Sequence, residues 1–136
     1  MLEYRITARR LDAHGSEATC KAARLGLDTD PKGRLDAFNP AELLLAAVVA
    51  CTIKNIERVA LKLVILGVEV SLHGVRQDNP PKIASLTDEL VVDTDADNHK
   101  LELLHQNVRK YGTIYNTVAE ATRLEGRIVR RSNAHP

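Results

Sequence analysis

The sequence predicts an α+β fold, and three observations carry that expectation. Short stretches of alternating apolar and polar residues open the chain, and a long apolar helix runs from Phe38 to Ile65. The second half reads as a hairpin, two helices and a final strand. Strands and helices therefore come in blocks rather than in strict alternation, unlike a doubly wound α/β sheet. With 136 residues, 44% apolar and 27% charged, the chain has one domain's length and enough apolar matter for a core. A single domain over residues 1–131 is expected, followed by a flexible tail at 132–136.

Each element has its own local reason. Leu2, Tyr4, Ile6 and Ala8 alternate with Glu3, Arg5, Thr7 and Arg9, the period of a half-buried strand. Asp12-Ala13-His14-Gly15 turns the chain back. A second strand from Glu17 sets Ala18, Cys20 and Ala22 on one face. Leu25 and Leu27 have the opposite parity, so a bulge is expected near Ala23 or Arg24. Asp28 to Arg34 forms a loop into the helix.

Asn39 can cap that helix, Pro40 suits a first turn that needs no backbone donor, and Glu42 stands three residues after the cap. From Leu43 to Ile53 no face carries a charge. Sheet, helices or a second copy of the chain must then cover this segment all round. It is too short to cross a bilayer, which takes roughly 20 residues. Beyond it, Ile56, Val59, Ala60 and Leu63 continue an apolar stripe from Ile53, opposite a wet face of Lys54, Arg58 and Lys62, and Gly67 can end the helix.

Val68, Val70 and Leu72 then alternate with Glu69, Ser71 and His73 as a strand whose polar face leaves His73 exposed. Asn79-Pro80-Pro81 breaks it, and Leu86 to Asp93 supplies an antiparallel partner. A helix over Asn98 to Tyr111 carries Leu101, Leu104 and Val108 at helical spacing. Gly112 interrupts it, a shorter helix covers Thr113 to Ala121, and Leu124 to Arg130 closes the fold as a strand.

Several function classes are disfavoured. The net charge of +1 provides no basic field, and Arg127 to Arg131 interleaves three arginines with Ile128 and Val129, so no nucleic-acid partner is expected. The first ten residues, MLEYRITARR, lack a signal peptide's apolar stretch, and two cysteines make no disulfide framework. A cytoplasmic protein with no membrane partner follows as the expectation. His14, His73, His99, His105 and His135 show no ligand spacing, and no serine sits in a Gly-x-Ser-x-Gly turn, so neither metal nor cofactor is called for.

Cys51 sits inside the charge-free helix, where alanine or valine would pack equally well. Around it, Asp30-Pro31, then Asn39-Pro40-Ala41-Glu42-Leu43-Leu44-Leu45-Ala46-Ala47 and Ala50-Cys51-Thr52 resemble the OsmC/Ohr proteins, the osmotically inducible and organic hydroperoxide resistance family. The strand from Val68, the break at Asn79-Pro80-Pro81-Lys82-Ile83 and the helix end Val108-Arg109-Lys110-Tyr111 fall in the family's order. The resemblance implies an OsmC/Ohr-like intertwined homodimer, its two central helices buried against each other and against both sheets. It also implies a peroxiredoxin-like thiol peroxidase of the oxidative stress response. In that chemistry one cysteine attacks a hydroperoxide and a second forms a disulfide with it, while an arginine and a glutamate assist at the dimer interface. Cys51 matches the attacking position.

The attacking species is a thiolate, and a cysteine in apolar surroundings needs a nearby cation to offset burial of its charge. Attack leaves a sulfenic acid, which a second thiol must reduce. Here the chain departs from the family pattern: where the resolving cysteine is expected, the sequence reads Lys110-Tyr111-Gly112-Thr113-Ile114, with Gly112 in its place. Cys20 could substitute only with its Cα within about 7 Å of that of Cys51. Otherwise Cys20 is a small buried residue between Ala18 and Ala22.

The family's assisting glutamate, ten positions before the cysteine, corresponds to Ala41, about 80° around the helix from the thiol. Glu42 lies nine positions before Cys51, about 180° around, and also fits a capping box. For the assisting arginine, Arg9 and Arg10 lie nearest in sequence to the matching position, which is Ala13, and Arg24 and Arg34 are further candidates. Cys51, Glu42 and Arg10 are the candidate catalytic residues.

Two functions fit this pattern. One is a thiol-dependent reductase of organic hydroperoxides or hydrogen peroxide, working with Cys51 alone and an external thiol reductant. The other is a catalytically silent dimer that binds a small apolar molecule or serves a structural role.

Overall fold

The computed structural model describes residues 1–60 and 62–131, so Leu61 and the expected tail at 132–136 lie outside it. Along the described chain run β1 (Thr7–Asp12), β2 (Gly15–Cys20), β3 (Ala23–Asp28), α1 (Pro40–Val59), β4 (Gly67–Asp78), β5 (Pro81–Asp93), α2 (Asn98–Lys110), α3 (Thr113–Ala119) and β6 (Arg123–Arg130). The fold is α+β, in the predicted order of elements. Two compact units divide it, Met1–Leu44 and Leu45–Pro136.

The first unit is built on an antiparallel sheet of order β1-β2-β3. Its first turn forms where expected, because Asp12 Oδ1 accepts from the backbone N–H of His14 at 2.8 Å and of Gly15 at 3.0 Å. The bulge expected near Ala23 or Arg24 is instead a tight turn at Lys21 and Ala22, with Lys21 in the left-handed region at φ 55°. A two-residue turn pairs even positions with odd ones. Ala18 therefore faces Leu25 across the hairpin, which explains the change of parity without any extra residue.

The strand expected from Leu2 begins only at Thr7, and the side chains of Leu2, Tyr4 and Ile6 are exposed. Alternation alone does not make a strand where the described residues provide no neighbour to pair with it.

The loop after β3 is closed by Asp28. Its buried carboxylate accepts from the backbone of Asp30 at 3.0 Å and of Arg34 at 2.9 Å, while its own N–H donates to the Phe38 carbonyl. The capping box at the head of α1 is reciprocal: Glu42 N–H donates to Asn39 Oδ1 and Asn39 N–H to Glu42 Oε1, each at 2.9 Å.

In the second unit β4 and β5 form an antiparallel hairpin around Asn79 and the cis-bonded Pro80, and β6 lies parallel to β5. A parallel return requires a crossover, which α2 and α3 provide. Asp97 caps α2 by accepting from Lys100 N–H at 2.9 Å. The core gathers Ile56 of α1, Leu90 and Val92 of β5, and Leu101, Leu104 and Val108 of α2. The three α2 residues are those picked out by helical spacing.

Two further boundaries differ from expectation by more than two residues. β5 starts at Pro81, well before Leu86, because β4 continues pairing up to the turn. Helix α1 stops at Val59 rather than near Gly67. A turn closed by Leu63 N–H on the Ala60 carbonyl bends the chain, and Leu63 and Ile65 pack on the core from outside the helix.

The charge-free segment of α1 buries only one face, through Val48 and Thr52, with Leu45 against Gly74 of β4. Ala50 is open and Ile53, about 60° from it around the helix, is 38% exposed, so this side of the segment is left uncovered among the described residues.

Candidate functional site

Cys51 lies on the flank of α1 between its buried stripe and its open face, and is half-buried. One turn further on, at the spacing that stacks side chains on a helix, stands Asn55. Asn55 is 4% exposed, and its carboxamide Nδ2 makes two contacts: it donates to Cys51 Sγ at 3.7 Å and to the Val108 carbonyl at 3.3 Å. That carbonyl belongs to the last turn of α2, whose acceptors find no partner within their own helix. Asn55 thus ties the thiol-bearing helix to the end of α2 and holds the sulfur from one side.

Gly112, at the N-terminus of α3, borders the same carboxamide. A Cβ added there would lie 3.0 Å from Asn55 Nδ2 and 3.1 Å from both Tyr115 Cβ and the Val108 carbonyl oxygen. One buried carboxamide thus touches both the Cys51 sulfur and the place of a side chain at position 112.

The charges expected to support the thiol are placed as follows. The hydrogen-bonding neighbour of Cys51 is a neutral carboxamide rather than a guanidinium. Arg10 is exposed on β1 opposite Ser16, and Arg9 pairs in register with Glu17. Arg24 forms an ion pair with Glu17 at 3.1 Å. Arg34 grips Asp36 in a fork of 2.8 and 2.7 Å, and this hydrogen bonding and charge raise its pKa. Glu42 uses its carboxylate in the capping box. Cys20 ends β2 opposite Ala23, half-buried, and both cysteines are free thiols. Ala22 is in the turn, so Cys20 is not flanked by it on a common strand face.

A second polar cluster was not foreseen from the sequence. Asp88 of β5 faces His105 and Arg109, one turn apart on α2, with Oδ2 3.5 Å from Arg109 Nη2 and Oδ1 3.8 Å from His105 Nε2. Both separations exceed hydrogen-bonding range. Accordingly Asp88 Oδ1, His105 Nε2, and Arg109 Nε and Nη2 are buried without a hydrogen-bond partner among the described residues. The Arg109 guanidinium also lies 5.3 Å from the centre of the Tyr115 ring, tying the cluster to α3. The signal was present in sequence: Leu86, Asp88, Leu90 and Val92 share one strand face, and Asp88 is the charge among apolar neighbours. His73 is exposed, as its strand parity predicts.

No helix of the described chain is long and apolar enough to cross a membrane. The OsmC-like protein family model matches residues 31–126, and the chain belongs to that family. No curated protein sequence matches it. Among solved structures, an OsmC-like protein from Mycoplasma pneumoniae superposes with a TM-score of 0.88 at 17% identity, covering 96% of this chain and 99% of that one. An organic hydroperoxide resistance protein OsmC from Legionella pneumophila gives 0.70 at 20% identity, over 94% and 97%. The organic hydroperoxide resistance protein OhrB of Bacillus subtilis gives 0.66 at 17% identity, over 94% and 98%. These likenesses establish the OsmC/Ohr fold.

Proposed function

We propose that this chain is a one-cysteine thiol peroxidase that reduces organic hydroperoxides or hydrogen peroxide with Cys51, drawing on an external thiol as reductant. The observation that carries this reading is the setting of Cys51, whose sequence surroundings resemble those of the family's attacking cysteine: it is free and half-buried, and accepts a hydrogen bond from a buried side chain. In the reaction the Cys51 thiolate forms an S–O bond with the peroxide, the O–O bond breaks, and the alcohol or water leaves after taking a proton. Sulfur is oxidised by two electrons to a sulfenic acid. One external thiol then forms a mixed disulfide and releases water, and a second thiol frees Cys51.

The reading includes a cytoplasmic homodimer of single-domain protomers spanning residues 1–131. The open apolar side of the helix at Ala50 and Ile53 supports it, since a second copy would cover that side and complete the site. In such a dimer Arg10 and Glu42 are the candidate assisting charges.

The test is hydroperoxide consumption with a thiol reductant. The protein should outpace free cysteine, Cys51→Ser should abolish turnover, and Cys20→Ser should leave it intact. Loss of peroxide no faster than with free cysteine would overturn the reading. The alternative, a catalytically silent dimer that binds a small apolar molecule, draws support from a groove of about 400 Å³ between the end of α1 and α2, with Val59, Ala60, Leu63 and Leu103 among its walls.

A further inference from the structure

We propose that Asn55 is the positioning residue that makes this a one-cysteine site: its carboxamide fills the room a resolving sulfur would need and holds the oxidised Cys51 for an external thiol. The proposal rests on the peroxidase reading for its chemistry and on the geometry around Asn55 for its mechanism.

Three observations converge. Asn55 Nδ2 touches both Cys51 Sγ, at 3.7 Å, and the place of a side chain at position 112, at 3.0 Å. The carboxamide is not a loose end that can swing aside, because it is buried and spends its other donor on the Val108 carbonyl. Position 112 is otherwise ordinary: its φ of −82° and ψ of 114° suit any residue, so the backbone does not require glycine there. What keeps a side chain out is the crowding of Asn55, Tyr115 Cβ and the Val108 carbonyl.

A thiol at position 112 would have to attack the Cys51 sulfenic sulfur, form the S–S bond and release water, and the carboxamide stands in the way of that approach. In place of the second sulfur, Asn55 offers an N–H to the oxygen that Cys51 acquires. The sulfenic acid is thus held in one orientation until an external thiol reaches it from the half-open flank of α1.

The test separates this proposal from the peroxidase reading by using diamide, which oxidises two thiols to a disulfide and is itself reduced to the hydrazine. In a Cys20→Ser background, Gly112→Cys should not close a bridge to Cys51 under diamide, whereas Gly112→Cys with Asn55→Ala should close it, read by intact mass under non-reducing conditions. Asn55→Ser, whose hydroxyl can still reach toward the Val108 carbonyl, serves as the second variant if Asn55→Ala does not fold. Closure by Gly112→Cys alone as complete as with the Asn55 change would overturn the proposal, as would an open pair in a folded Asn55 variant.

In the otherwise unchanged protein, treated with one equivalent of hydroperoxide, the Asn55 side-chain amide resonances should move as Cys51 is oxidised. Asn55→Ala should shorten the life of the trapped sulfenic acid by about 5-fold, the worth of one ordinary hydrogen bond. Unmoved resonances during complete oxidation, or an unchanged lifetime, would contradict the assignment.

Discussion

Gly126 of β6 stands directly opposite Asp88 of β5, and a Cβ on Gly126 would overlap Asp88 Oδ1. The glycine is therefore a clearance for a largely buried carboxylate. Gly126→Ala should cost about 1–3 kcal/mol, the usual penalty for forcing extra volume into a packed interior. Chemical denaturation would read it as a lower midpoint with an unchanged slope.

Arg109 is the cation that faces this carboxylate, from 3.5 Å. Arg109→Met removes it while keeping much of the side chain's bulk, and leaves the largely buried Asp88 side chain without its nearest cation. The expected loss is about 3–5 kcal/mol. Adding Asp88→Asn should recover part of it, since the charge goes with its partner. A double-mutant cycle by denaturant unfolding would measure the coupling, and strict additivity would show that the two side chains do not interact.

At the head of α1 the reciprocal hydrogen bonds of Asn39 and Glu42 make the capping box the first structural role of Glu42. Asn39→Ala should destabilise by about 1 kcal/mol. Glu42→Gln, which retains an acceptor for Asn39 N–H, should change stability by less than about 0.5 kcal/mol. Thermal unfolding of the two variants would check the contrast.

Acid should loosen the turn and loop of the first unit before the core of the second. The carboxyls of Asp12, Asp30 and Asp36 are held below the ordinary value of 3.8, chiefly by the His14 backbone N–H, the His14 side chain and the Arg34 side chain respectively. A carboxyl with a lowered native pKa binds its proton more readily once unfolded. Its contribution is therefore fully present above the unfolded value of about 3.9 and fades as pH falls through the lowered native one. Carboxyl chemical shifts against pH should show His14→Ala moving Asp30 upward toward its ordinary value. Asp12 should stay low, because its principal donor is backbone.

Much of this fold was legible because its signals are local. The cap at Asn39, the turn at Asp12, the Gly112 interruption and the apolar spacing of Leu101, Leu104 and Val108 are each fixed by a few neighbouring residues. Structure departs from local signals where distant partners decide. Alternation from Leu2 finds no paired strand among the described residues, the parity change after Ala18 is a hairpin, and α1 ends early while Leu63 and Ile65 reach the core from beyond it. At the site, Cys51 stood out as a thiol among aliphatic residues. Asn55 did not, since an asparagine beside Lys54 and Glu57 reads as solvated surface until α2 brings the Val108 carbonyl against it. The Asp88 cluster likewise needs β5, β6 and α2 together, though the lone charge on an apolar strand face marked its place.

The most direct measurement is the rate at which Cys51 is oxidised by a slight excess of an organic hydroperoxide, followed by sulfenic-acid trapping and mass spectrometry. The account predicts rapid, stoichiometric labelling at Cys51, none at Cys20, and regeneration of the free thiol by an added external thiol. Labelling no faster than that of free cysteine would contradict it.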